Sequence, residues 1–322
     1  MGEDLKPNVV ASRCLGFAKC RTNGETIPDK FVDKLQKYVN FITPCPEVEI
    51  GLGIPRKSIR IVKKKDSEKR YLIQSATDLD VTEKMLEFRK SFVDNLSDVD
   101  GFILKGQSPS CGISNVKFYP STGKVAPLGK ERGFFGGYIV EKFPLHPVED
   151  EGRLRNFSIR EHFLTRLFLM PQIRKLKKTG KIKDLVEFQS KNKLLLMAYN
   201  QNLMRKMGKI VSNREKGDIE EMKKEYIDLF LKALSKKPRY ASNINILMHA
   251  LGYFKDLLKT EEKAFFLDSL EMYRIGKVPL SVPIHLIKSY VIKYDTEYLK
   301  MQTYFEPYPF DLVEITDSGK GR

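Results

Sequence analysis

Four cysteines, Cys14, Cys20, Cys45 and Cys111, are the chain's full complement of thiols, and all lie in its first third. Three of them follow short apolar runs at which a strand would end: Cys14 after Val9-Val10-Ala11, Cys45 after Phe41-Ile42-Thr43-Pro44, and Cys111 after Phe102-Ile103-Leu104. If those runs pair in a parallel sheet, the thiols gather along its carboxyl edge, where α/β proteins bind ligands. Thiolates are soft donors that select zinc or iron-sulfur centres, and spacing alone does not choose between them. The intervals lack the paired ligands of a structural zinc site and the compact run of a ferredoxin, so any centre has to be assembled from separate loops. If only three thiols bind a cluster, one iron stays open to substrate, as in a catalytic site. Cys20 shares a loop with Cys14, and fits a sulfur acceptor or a packed thiol better than a further ligand.

The elements that must position these residues alternate between strand and helix. Strands are expected at Val9–Ala11, Asn40–Thr43, Gly101–Lys105 and Leu145–Val148. Helices are expected over Pro28–Val39, from an N-cap at Asp80 to about Leu96, and over Arg132–Lys142. Ser58–Lys64 and Arg70–Ser75 read as a hairpin whose turn is Lys65–Glu68. This order predicts an α/β, Rossmann-like domain over residues 1–150, ending in a charged linker, Glu149-Asp150-Glu151-Gly152. From about Arg155 the pattern becomes helical. Periodic apolar positions mark helices around Phe163–Met170, Leu194–Leu203, Glu220–Ala233, Tyr240–Leu258, Glu261–Arg274 and Pro283–Tyr294. Residues 151–322 are therefore expected to form an all-α domain, with a loose tail at Asp317–Arg322.

Charge divides along the same boundary. The 322-residue chain carries a net +16; residues 1–150 hold 24 basic and 20 acidic side chains (+4), leaving +12 for residues 151–322. Between Pro171 and Ile210, Arg174, Lys175, Lys177, Lys178, Lys181, Lys183, Lys191, Lys193, Arg205, Lys206 and Lys209 face only Asp184 and Glu187. A polyanion is the natural partner for such a stretch, since each neutralised phosphate releases condensed counterions. The first residues, Met1-Gly2-Glu3-Asp4, carry acids where a signal peptide needs an apolar core, and no apolar run reaches membrane-spanning length. A cytoplasmic, membrane-free protein is expected, in a compartment where clustered thiols bind metal or react more often than they cross-link.

Other chemistries find no support. Gly51 and Gly53 lack the third glycine and helix start of a dinucleotide loop, and Gly133, Gly136 and Gly137 do not complete it, so no nucleotide cofactor is expected. His146, His162, His249 and His285 are too scattered for a histidine metal site or a Ser/His/Asp triad.

Five segments in order, Ser12-Arg13-Cys14-Leu15-Gly16, Cys20-Arg21-Thr22-Asn23-Gly24, Cys45-Pro46-Glu47-Val48, Gly51-Leu52-Gly53-Ile54-Pro55-Arg56 and Lys105-Gly106-Gln107-Ser108-Pro109-Ser110-Cys111-Gly112, closely resemble the thiouracil desulfidase family. The resemblance implies a 4Fe-4S cluster on Cys14, Cys45 and Cys111, with Glu47 as acid/base group and Ser108 and Ser110 as further active-site residues. Residues 155–322, including Asn156-Phe157 and Ser190–Ala198, resemble the helical domain fused behind such desulfidases. Fusions of this kind resemble tRNA 4-thiouridine desulfidases, which implies a hydrolytic release of sulfide. The helical part would then hold tRNA through residues such as Arg174, Lys175, Lys177, Lys178, Lys191, Lys193, Arg205 and Lys206. Two alternatives stay open: a desulfidase of free thiouracil or thiouridine, and a nucleic-acid-binding redox sensor without turnover.

Overall fold

The computed structural model describes residues 6–63, 69–178, 181–212 and 218–314. The expected turn at Lys65–Glu68 and tail at Asp317–Arg322 lie outside them. Two compact units emerge: the first runs to Gln172 and takes back the chain from Tyr308, and the second is Ile173–Pro307.

The first unit is built on a four-stranded parallel sheet, β1 (Asn8–Ala11), β2 (Asn40–Ile42), β6 (Gly101–Leu104) and β9 (Val148–Asp150), in the order β2-β1-β6-β9. Register is set by Val9 opposite Gly101 and Phe41, and by Phe102 opposite Val148. Residues of β1 and β6 alternate between two cores, as the two-residue period of a strand requires. Val10, Phe102 and Leu104 face one core; Val9, Ala11 and Ile103 face the other. Because both faces are covered, these strands appear in the sequence as unbroken apolar runs.

The first core also contains Met85 of α3 (Thr82–Asp94), Phe134, Phe135 and Ile139 of α4 (Phe134–Lys142), and Ile61, Leu72 and Val116 from a second sheet. That sheet has five strands in the order β5-β4-β3-β7-β8. Its members are β3 (Ile59–Lys63), β4 (Arg70–Gln74), β5 (Leu79–Asp80), β7 (Val116–Tyr119) and β8 (Gly129–Glu131). The expected hairpin is present as β3 and β4, paired antiparallel with Ile61 opposite Leu72. It is extended on both sides by strands that the sequence did not announce.

The second core gathers Phe31, Val32 and Leu35 of α1 (Lys30–Leu35) with Phe163, Leu164, Leu167 and Phe168 of α5 (Phe157–Lys178), closed by Tyr308 and Leu312. Helix α1 starts where Asp29 accepts hydrogen bonds from the backbone N–H of Phe31 and Val32, both 3.0 Å. Full burial of each large side chain here contributes about 1.5–3 kcal/mol.

Two expectations need correction. Glu149-Asp150-Glu151 is not a linker: Glu149 and Asp150 lie in β9, and Asp150 and Glu151 are each 9% exposed. Their carboxylates are occupied, Asp150 by Arg153 N–H (2.8 Å) and Glu151 by Gly106 N–H (2.7 Å) and the Lys105 ammonium. The first unit accordingly extends beyond residue 150 to Gln172 of α5.

The second unit is helical: α6 (Ile182–Lys191), α7 (Lys193–Ser212), α8 (Ile219–Ala233), α9 (Tyr240–Gly252), α10 (Thr260–Arg274), α11 (Ser281–Lys293) and α12 (Glu297–Lys300). Phe188 of α6 packs on Phe230 of α8 with ring centroids 4.9 Å apart. The expected helix across Leu194–Leu203 is interrupted at Asn200 (φ −158°, ψ 95°), whose Oδ1 accepts from Leu203 N–H at 3.0 Å. An asparagine side chain that caps a new turn competes with the helix it interrupts.

Candidate active site

Each parallel strand delivers a loop to the same edge. Past β1 come Arg13, Cys14, Cys20 and Arg21; past β2, Cys45 and Glu47; past β6, Lys105, Ser108 and Cys111; past β9, Glu151. All but Glu151 line one cavity of about 340 Å³, to which Arg56 and Gln107 also contribute. The three thiols singled out from the sequence are therefore brought together, and Cys20 joins them, only 1% exposed.

The thiols perturb one another. Burial, then the neighbouring Cys45, push the Cys14 thiol up to about 11, with Lys105 pulling the other way. Cys20 is pushed up to about 12 by burial and by Cys45 and Cys14, and Cys111 is raised well above the ordinary value by burial, opposed by a hydrogen bond from Ser12. Such a group holds protons until a cation replaces them, as metal binding to thiolates requires. Among the described residues, no three or more His, Cys, Asp or Glu side chains are placed to hold a metal ion.

Glu47 sits in the short helix α2 (Pro46–Glu49), whose N-cap is Cys45, so thiol and carboxylate are fixed by one turn. Its Oε1 accepts from Ser110 Oγ at 2.6 Å, and its Oε2 from Arg56 Nε and Nη2, each at 2.8 Å. Arg56 Nη1 also donates to the Cys20 carbonyl at 2.8 Å, tying the Cys14–Cys20 loop to Glu47. The two serines separate in role. Ser108 lines the cavity and its Oγ accepts from Cys111 N–H at 3.1 Å and Ser110 N–H at 3.3 Å. Ser110 is fully buried and meets the cavity through Glu47 and, at 3.5 Å, the Ser108 hydroxyl.

The Cys111 loop is held from behind by α4. Phe134 N–H donates to the Pro109 carbonyl (3.0 Å), and Phe135 and Gly136 N–H both donate to the Ser110 carbonyl (2.9 Å). A Cβ on Gly136 would lie 2.1 Å from the Cys111 carbonyl oxygen, and one on Gly133 2.6 Å from that of Ser110. These glycines thus permit close approach of helix and loop. Ser12 is a further residue that sequence reasoning passed over: its Oγ accepts from Lys105 N–H at 2.9 Å while it bonds the Cys111 thiol, clasping the ends of β1 and β6.

The basic residues singled out from the sequence belong to the second unit. Lys175, Lys177 and Lys178 near the end of α5, Lys193 at the start of α7, and Arg205 and Lys206 further along α7 are exposed. Arg174 and Lys191 are half-buried, and Lys191 is already paired with Glu187 at 2.5 Å. No helix among the described residues is long and apolar enough to cross a membrane.

Comparison with known proteins matches the chain in two segments, one on each side of the division at Gln172. Residues 9–151 match the family model of 2-thiouracil desulfurase, and residues 193–309 match a protein family of unknown function, DUF1722. YbgA of Escherichia coli (strain K12) is 29% identical over 158 residues, covering 48% of this chain and 93% of that protein. YbbK of Bacillus subtilis (strain 168) is 28% identical over 138 residues, 39% of this chain and 91% of that protein. Among solved structures, a [4Fe-4S]-dependent thiouracil desulfidase matches with a TM-score of 0.36 at 23% identity, covering 46% of this chain and 93% of that one. The chain is therefore similar to 2-thiouracil desulfurases over residues 9–151 and to DUF1722 proteins over residues 193–309.

Proposed function

We propose that this protein is an iron-sulfur-dependent desulfidase that removes sulfur from 4-thiouridine in tRNA, giving uridine and sulfide. The carrying observation is the convergence of four thiols and the Arg56–Glu47–Ser110 array on one cavity at the carboxyl edge of the parallel sheet. The donor set fits a cluster: it is all sulfur, and its members resist joint ionisation until a cation is present. Ligands of a cluster grip different irons and stand a cluster's width apart, so a cavity between them is the expected form rather than a point where three side chains meet.

Cys14, Cys45 and Cys111 would hold a 4Fe-4S cluster, which supplies an open Lewis-acidic iron for a soft thiocarbonyl sulfur. Glu47 acts as the base. Three donors, Ser110 and two nitrogens of Arg56, occupy three of the roughly four lone-pair sites of its carboxylate. The remaining site accepts a proton from the water that replaces sulfur at the ring carbon. Ser108 orients that water or the ring from the cavity wall, and Ser110 and Arg56 hold Glu47 still. Exchange of C=S for C=O by water releases sulfide with no net redox change. A helical domain carrying most of the chain's +16 charge supports a polyanionic substrate.

The test is sulfide release by anaerobically purified protein, with iron and sulfide content measured on the same sample. Sulfide from tRNA bearing 4-thiouridine is expected. Release only from free 4-thiouracil would move the substrate to the free base, and no release from either by cluster-loaded protein would end the desulfidase reading.

A further inference from the structure

Charge and exposed apolar surface separate within the second unit. Residues 173–239 carry 19 basic and 8 acidic side chains, a net of +11, whereas residues 240–307 carry 8 of each and are neutral. Among the described residues, no large apolar side chain between Ile173 and Arg239 is exposed, while ten of the 16 exposed in all lie between Tyr240 and Met301. One group of these forms a patch. At the end of α9 the Tyr253 ring, 50% exposed, stacks on Tyr298 of α12 with centroids 5.6 Å apart and planes 16° from parallel. Leu257, 52% exposed, is tied to the end of α11, since its carbonyl accepts from the Tyr294 hydroxyl at 3.0 Å. Ile292, two residues before Tyr294, and Met301, three after Tyr298, are exposed as well. Phe254 is fully buried against the Tyr290 and Tyr294 rings and fixes the base on which the patch stands. Cations of this segment are satisfied within it: Lys293 pairs with Glu262 at 3.4 Å, Lys300 with Asp295 and Glu297, Arg274 with Glu271 at 2.7 Å and Lys288 with Glu306 at 2.9 Å.

Clustered exposed apolar side chains mark an interaction site, and rigid aromatic rings with Met are typical of the core of a protein contact. RNA does not fit this face, because stacked bases bring phosphates and residues 240–307 offer no net charge to receive them. A second copy of the chain does fit. Two chains that each carry +16 repel, and they approach most readily through a face whose own charges cancel. We propose that two copies associate through this face, the same patch meeting itself across a two-fold axis, with Tyr253, Leu257, Ile292 and Met301 at the centre of the contact. A contact this small makes a reversible dimer, with a Kd of about 1–100 µM. The inference is independent of the proposed reaction and leaves the basic segment free for a polyanion.

Sedimentation equilibrium of the full chain, handled anaerobically and followed across the expected Kd range, tests this. Wild type should pass from monomer to dimer with rising concentration, and the dimer should tighten as salt rises, because screening removes repulsion between like-charged copies while apolar contact persists. That sign is opposite to the one expected for a phosphate contact. Leu257→Asp and Tyr253→Asp each place a charge in the contact and should weaken association at least about 10-fold. Leu79→Asp, on an exposed residue of β5 in the first unit, should leave it unchanged, as should Lys175→Ala with Lys177→Ala. A wild type that stays monomeric throughout overturns the inference, a result that needs no variant to fold. So does a dimer that survives both charged substitutions in variants whose thermal melts match wild type. Loss of oligouridylate binding in Leu257→Asp, with a monomeric wild type, would give the face to single-stranded RNA instead. Sulfide release is not the readout, so either result leaves the desulfidase reading to its own test.

Discussion

Glu47 has two kinds of neighbour, one that touches the cavity and one that does not. Ser110 is buried behind it, and its closest link to a reaction is the 2.6 Å bond to Oε1, the Ser108 hydroxyl lying farther off at 3.5 Å. Glu47→Gln keeps the shape and removes the base, so sulfide release should fall at least about 100-fold while the cluster absorbance is unchanged. Ser110→Ala should cost less, and nothing further in the Glu47→Gln background; an additive loss in the double variant would give Ser110 an independent role. A different carboxyl, Glu161 of α5, is pushed up to about 7 by burial, with the Tyr308 hydroxyl 3.5 Å away the main opposing influence. Its ordinary value is 4.5, so the folded state binds the proton more tightly than the unfolded chain does. Stability from this group is fully present below about 4.5 and is lost as pH rises through about 7. Glu161→Gln should therefore match wild type in urea at pH 4.5 and exceed it by roughly 1–3 kcal/mol at pH 8.

At the level of elements, the contact between α4 and the Cys111 loop reverses an ordinary rule. Alanine normally stabilises a helix over glycine by up to about 1 kcal/mol. At Gly136 the added Cβ would meet backbone 2.1 Å away, so Gly136→Ala should destabilise the first unit by about 2 kcal/mol or more and lower its iron content. At Gly252, in α9, nothing lies within 4 Å, and the same change should be neutral or mildly stabilising; comparison of thermal melts checks the pair. The sequence made the first half of this legible. Apolar runs buried on both faces announced β1 and β6, the shorter Phe41-Ile42 pair marked the edge strand β2, and their ends located the cysteines. It does not announce α4 as the back wall of the site, because the close approach of Gly133 and Gly136 to the Ser110 and Cys111 carbonyls is a non-local contact that leaves no local pattern. Strands β7 and β8 are short and lie among Pro, Gly and Ser, and β8, Gly129-Lys130-Glu131, has no apolar residue to mark it. Partnerships such as Ser110 with Glu47, 63 residues apart, are set by the fold and leave no local periodicity to read. The acidic run at residues 149–151 looked like a solvated linker because the pattern gives charge without its partner, and the partner of Glu151 is Lys105.

For the whole molecule, the decisive property is that charge and thiols occupy different parts of the chain. Every cysteine precedes residue 112, whereas Lys175, Lys177, Lys193, Arg205 and Lys206 follow residue 172 and are exposed. Catalysis on a small neutral base would need only the first part, and rate should then ignore salt, since a neutral substrate releases no counterions. A polynucleotide held by those cations behaves otherwise: log K falls linearly with log salt, with a slope of about 0.7–0.9 per phosphate neutralised. Lys191 is the informative control, because its charge is already satisfied by Glu187. Lys175→Ala with Lys177→Ala should therefore weaken tRNA binding and reduce the slope by about 1.4–1.8, and Lys191→Ala should leave the slope nearly unchanged. Binding titrations of the three proteins between about 50 and 200 mM salt measure this directly. A slope of zero in wild type would remove phosphate contact as the means of holding RNA, while the cavity and its thiols would keep their chemistry for a smaller substrate.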